Sequence, residues 1–134
     1  MKAAILMLLL LAAVMLMMSL QPRPAQAVEC ALGEATSLSI GDGVILHSCS
    51  WEQTPGVFLR AGPLEMVRHG VLILRLHTDR NGKLQGQFSS WDDAGVLTEN
   101  GHYVDGLKHG EWLVTDANGE RRVEHYRAGV LIAP

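Results

Sequence analysis

The chain has 134 residues, 48% of them apolar, and a formal net charge of −3. That is the length of one domain and too little for a roomy two-domain catalytic cleft. A mildly acidic chain with no basic run is a poor nucleic-acid binder, and a single long apolar stretch excludes a polytopic membrane protein.

The first element, residues 1–27, reads as a secretory signal peptide. Lys2 is the positive start, and Ala3 to Leu20 is apolar except for Ser19. Gln21-Pro22-Arg23-Pro24 breaks the helix before the small-x-small site Ala25-Gln26-Ala27. Cleavage there leaves residues 28–134, with nine of the eleven Lys and Arg and all fourteen Asp and Glu, so the mature charge is −5. All 14 Gly are kept as well; at about 13% against a usual ~7%, they predict a chain dominated by turns. The membrane is expected to be met only through the leader, and the product is expected to be periplasmic or secreted.

The second element, residues 28–61, holds both cysteines, Cys30 and Cys49. Export permits a disulfide, and two cysteines allow one pairing. A redox or metal role would call for close spacing such as Cys-x-x-Cys, which is absent. The segment is therefore expected to be a disulfide-containing N-terminal cap on the remainder of the domain.

The third element, residues 62–134, repeats. Glycines at 62, 86 and 110 open three blocks of 24 residues, and Leu64, Phe88 and Trp112 follow each by two. Asp92-Asp93-Ala94-Gly95 and Asp116-Ala117-Asn118-Gly119 are turn sequences. Asn81-Gly82 and Asp105-Gly106 mark a second turn in each block. Between turns lie β-rich runs such as Val71-Leu72-Ile73-Leu74-Arg75-Leu76 and Glu111-Trp112-Leu113-Val114. Each block is thus expected to be one β-hairpin, and the domain all-β, an elongated single-layer sheet. Its last strand, Val123 to Tyr126, is expected at an edge, guarded by Arg121, Arg122, Glu124 and Arg127.

The run from Gly101 to Trp112, with Gly101, Tyr103, Gly106 and Gly110, resembles the MORN repeat, Gly-x-aromatic-x-x-Gly-x-x-x-Gly-x-aromatic. It looks most like the bacterial variant of YwqK-type proteins, often labelled antitoxin components. An upstream copy keeps Gly82, Gly86 and Phe88 but has Asp79 in place of the first aromatic, and a third is cut short after Tyr126 and Gly129. The resemblance implies a curved sheet of hairpins that serves as a binding or scaffolding surface. It leaves residues 28–61 uncovered, and fold analogy does not determine function.

Catalytic chemistry is not expected. Ser48-Cys49-Ser50 lacks a nucleophile context, and Asp92-Asp93 are neighbours in a turn. Six histidines raise a second possibility, a small secreted metal-binding protein or enzyme, because His77, His102 and His125 recur at matched places in their blocks. No metal or cofactor site is assigned to them, since no His-x-His or His-x-x-x-His pair occurs. A third possibility sets the basic and aromatic residues on anionic lipid, which the negative charge disfavours. The expected function is non-catalytic binding of a protein partner in the cell envelope. Its possible contact surface is Trp91, Tyr103, Arg121 and Arg122, with the other aromatics in the core. N-terminal sequencing of the protein recovered from the envelope should begin at Val28; a start at Met1, or a lipid on Cys30, would refute the leader assignment.

Overall fold

The computed structural model describes residues 28–31 and 33–134; the signal helix expected over 1–27 lies outside them. Nine strands follow one another: β1 (Glu34–Gly41), β2 (Val44–Thr54), β3 (Val57–Arg68), β4 (Val71–Thr78), β5 (Gly86–Trp91), β6 (Leu97–Val104), β7 (Leu107–Thr115), β8 (Arg121–Arg127) and β9 (Val130–Ala133). They form one antiparallel sheet whose spatial order is the chain order. The domain is all-β, and β1, β2 and the start of β3 carry the same sheet through most of residues 28–61.

Turn chemistry produces this meander. Four connections are two-residue turns with positive φ at both positions: Asp42-Gly43, His69-Gly70, Asp105-Gly106 and Ala128-Gly129. Such turns twist with the strands they join. A second kind begins with aspartate. Asp92 Oδ1 accepts from the backbone N–H groups of Ala94 and Val96, and Asp116 Oδ1 from those of Asn118 and Glu120. Asp79 does the same for Asn81 and Lys83, so it begins a turn where the repeat pattern calls for an aromatic. The N–H donated by Lys83 is the main reason its carboxyl titrates below the usual range. Asn81-Gly82 therefore belongs to an Asp-led loop, while Asp105-Gly106 is a two-residue turn; the two are not equivalent. The 24-residue spacing corresponds to two strands with their two turns.

One expectation is overturned. Val123–Tyr126 lies in β8, which is an inner strand: Ala128-Gly129 reverses the chain, and Arg127 and Tyr126 pair with Val130 and Leu131 of β9. The charges of β8 guard no edge. The true edges are β1 and the uncharged β9.

Cys30 and Cys49 form the expected disulfide, with Cα atoms 5.6 Å apart. It ties the segment before β1 to a nearly inaccessible position in β2. Closing a loop of this size stabilises the fold by roughly 3 kcal/mol in the chain-entropy picture. An oxidising compartment suits it.

A single layer has no second layer to pack against, so its core is small: among the described residues, Leu46, Cys49, Val67, Leu72 and Trp112 are the buried apolar ones. Trp112 is wholly inaccessible. A Cβ on Gly101 would run into the Trp112 indole, so glycine is required there to seat the ring on the neighbouring strand. Turns also lock to each other: the Gly106 N–H donates to the Leu84 carbonyl and the Gly129 N–H to the Lys108 carbonyl, at 2.8 and 2.9 Å.

Gly106 has φ +84°. Gly106→Val should cost at least ~1–2 kcal/mol, whereas Lys83→Ala, on an exposed turn, should stay within about 0.5 kcal/mol. Chemical denaturation of the two variants tests this, and equal midpoints would count against the strained turn.

Candidate functional site

Side-chain alternation and strand register divide the large residues between two faces. Phe88 pairs with Gly101, which lies beneath Trp112, and Gly86 pairs with Tyr103. Trp112 pairs with Glu124, and Gly110 with Tyr126. Four rings thus share one face on β5, β6, β7 and β8. Tyr103 and Trp112 have ring centroids 5.0 Å apart, Phe88 and Trp112 5.5 Å, Phe88 and Tyr103 5.6 Å, and Trp112 and Tyr126 6.2 Å. Three of the pairs are edge-to-face and the Phe88–Trp112 pair is tilted at 35°; aromatic pairs add roughly 0.5–1.5 kcal/mol each beyond burial. The indole N–H donates to the His102 carbonyl at 3.3 Å.

Charges close over the rings. Lys108 Nζ stands 4.1 Å above the Trp112 ring and 5.2 Å from that of Tyr126, and 3.5 Å from Glu99 Oε1. Lys108 is thus a half-buried lid on the aromatic cluster. Glu124 accepts at 2.8 Å from both Arg122 Nε and the Tyr126 hydroxyl. The Arg122 bond, followed by that of Tyr126, holds the Glu124 carboxyl below its usual range. Accepting from Tyr126 in turn raises the phenol, and burial followed by the Glu99 charge raises Tyr103.

The opposite face carries a polar row. Ser37, His47, Glu65, Arg75, Ser89 and Asn100 stand directly opposite one another across six successive strands. Ser37 Oγ and His47 Nδ1 are 2.8 Å apart, Arg75 Nε donates to Glu65 Oε1 at 2.7 Å, and Asn100 Nδ2 donates to Ser89 Oγ at 2.8 Å. Glu65 Oε2 and the Trp51 indole N–H are buried without partners among the described residues. A groove of about 520 Å³ runs along Glu29, Ala31, Trp51, Pro63 and His77.

The four residues expected to share a contact surface are divided. Tyr103 and Arg122 lie on the ring face, Arg122 committed to Glu124. Trp91 pairs with Leu97 and Arg121 with Thr115, on the opposite face. His77, His102 and His125 sit on β4, β6 and β8, each separated from the next by a whole strand. Alternate strands are about 10 Å apart, too far to share an ion. The cross-strand histidine pair is instead His102 with His109. Among the described residues no three His, Cys, Asp or Glu groups converge as a metal site.

Sequence reasoning missed Lys108, Glu99 and Glu124 around the rings, and Glu65 with Arg75 on the other face. A signal did exist for the latter: Arg75 interrupts an otherwise apolar strand.

No family model, curated protein or solved structure matches the chain.

The Glu124 shift has a consequence in acid. A carboxyl whose folded pKa is depressed contributes stability above its unfolded value, and that contribution is lost as pH falls through the folded value. Melting temperature should therefore drop below the ordinary carboxylate range, and Glu124→Gln should be less stable at neutral pH with a flatter acid limb. An unchanged acid limb in the variant would show that Glu124 is not the group responsible.

Proposed function

We propose that this chain is an exported, non-catalytic repeat module of the MORN kind that binds another protein of the cell envelope. The observation that carries the reading is the exposed apolar edge strand β9 at the C-terminal end of the sheet. Leu131 pairs with Tyr126, the outermost of the four rings. Leu131 is 49% exposed on the ring face, and Val130, opposite Arg127, is 64% exposed on the other, so this short edge strand is apolar on both sides. Consecutive exposed apolar residues on a rigid support are a feature of contact sites. The support is rigid because the Tyr126 hydroxyl is held by Glu124 and its ring packs on Trp112. The disulfide suits an oxidising compartment, which agrees with the leader read over residues 1–27.

Interfaces draw on aromatic and apolar anchors set in a polar surround, and Arg127, which pairs with Val130, lies next to this patch. A photo-reactive residue at position 131 should crosslink to an envelope protein in intact cells. Leu131→Asp and Ile132→Asp, introduced with the probe at a neighbouring position, should abolish the adduct while leaving the circular dichroism spectrum unchanged. Persistence of the same adduct in both variants would refute this contact surface.

A further inference from the structure

The two edges of the sheet are unlike. β9 has four residues, its pairing with β8 is bulged, and it is followed by Pro134, which has no N–H. Shortness, a bulge and proline are the means by which an edge is blunted against further pairing. β1 has eight residues, Glu34–Gly41, and is exposed along its whole length. It pairs without interruption from Glu34 to Ser39, contains no proline, and has one charge, at its first residue. The Cys30–Cys49 bond anchors the chain just before it. An extended edge that is uncharged beyond its first residue and held in place is a template for another strand.

The same end of the sheet is open on the ring face. Thr36 and Leu38 line a hollow of about 520 Å³ together with Ser50, Phe58, Leu59 and Arg60. Leu38, Ile40 and Phe58 are exposed by 50, 56 and 65%.

We propose that β1 pairs with β1 of a second copy of this chain, about a twofold axis normal to the sheet, joining two nine-stranded sheets into one. Strand parity selects this partner. In a nine-stranded meander the first and last strands run in the same direction, so joining β9 to the β1 of another copy, faces aligned, gives a parallel ladder and an assembly that keeps growing. A twofold axis normal to the sheet reverses the second β1 and keeps the faces aligned, giving an antiparallel ladder in a closed, isologous dimer. Charge agrees. Antiparallel self-pairing sets the start of one strand against the end of the other, so Glu34 meets the Ile40 end of its partner and not another Glu34. The Leu38 and Ile40 side chains of each copy then extend the apolar surface beside Phe58. Both outer edges of the dimer are β9, so association stops at two. The envelope contact proposed above uses the far end of the sheet and stands or falls separately.

The test is sedimentation equilibrium of the disulfide-bonded protein from micromolar to millimolar concentration, where a monomer–dimer equilibrium is expected. Leu38→Lys and Leu38→Glu should each weaken dimerisation by at least about tenfold, a difference of 1.4 kcal/mol. Mixing the two variants should restore a dimer, which also shows that both are folded. Leu131→Asp should leave dimerisation unchanged. A monomer at every concentration, a dimer indifferent to Leu38→Lys, a mixture that stays monomeric, or a dimer lost in Leu131→Asp would each overturn the proposal.

Discussion

A sheet one layer deep must find its core within itself, and here the contact that makes this possible is the Trp112 indole lying on the backbone at Gly101. With no side chain beneath it, the ring comes down onto β6 and is sealed from water. Phe88, Tyr103 and Tyr126 then have a fixed surface to pack against, and Lys108 a surface to cover. The ion pairs of this face are arranged around the same ring: Glu99 holds Lys108 over it, and Glu124, opposite it, holds Arg122 and Tyr126. Polar groups here take the place of the second layer of a sandwich. They cover apolar surface while keeping their own hydrogen bonds.

The N-terminal half solves the same problem differently. It has no ring cluster, and it relies on Leu46, Val67 and Leu72, on the Glu65–Arg75 pair, and on the disulfide. Glu65 is among the buried polar residues, and one of its oxygens has no partner among the described residues. Such a group costs free energy unless fully hydrogen-bonded, so this half is less completely satisfied than the other. The crosslink restrains the segment where burial contributes least.

Much of this was legible in the sequence because turns have sharp chemical signatures. Asp105-Gly106 and the Asp-led turns at 92 and 116 are local, and local geometry is written in a few residues. The disulfide was legible for an equally simple reason, two cysteines with one pairing. What stayed hidden depends on register. Whether Trp91 and Tyr103 share a face turns on which residues stand opposite each other across β5 and β6. Lys108 reads as a turn residue until β6 and β7 are paired and place it above Trp112. The last hairpin was missed because Ala128-Gly129 lacks the Asp that marks Asp42-Gly43 and Asp105-Gly106, although Ala128 adopts the same positive φ. The edge then fell on the wrong strand. Asp79 was misplaced for the converse reason: a turn of the same kind as its neighbours, but off the 24-residue spacing.

The strand order has a kinetic meaning. Every strand pairs only with the strands before and after it in the chain, so closing each hairpin needs no more than the turn between its strands. Chains built of such near-neighbour pairings avoid the entropic cost of bringing distant segments together before any contact rewards it. The crosslinked residues are only 19 apart and lie ahead of all the later strands. A chain emerging from its N-terminus can therefore order itself in the sequence in which it appears, oxidising its cysteines and laying down each new strand on the last.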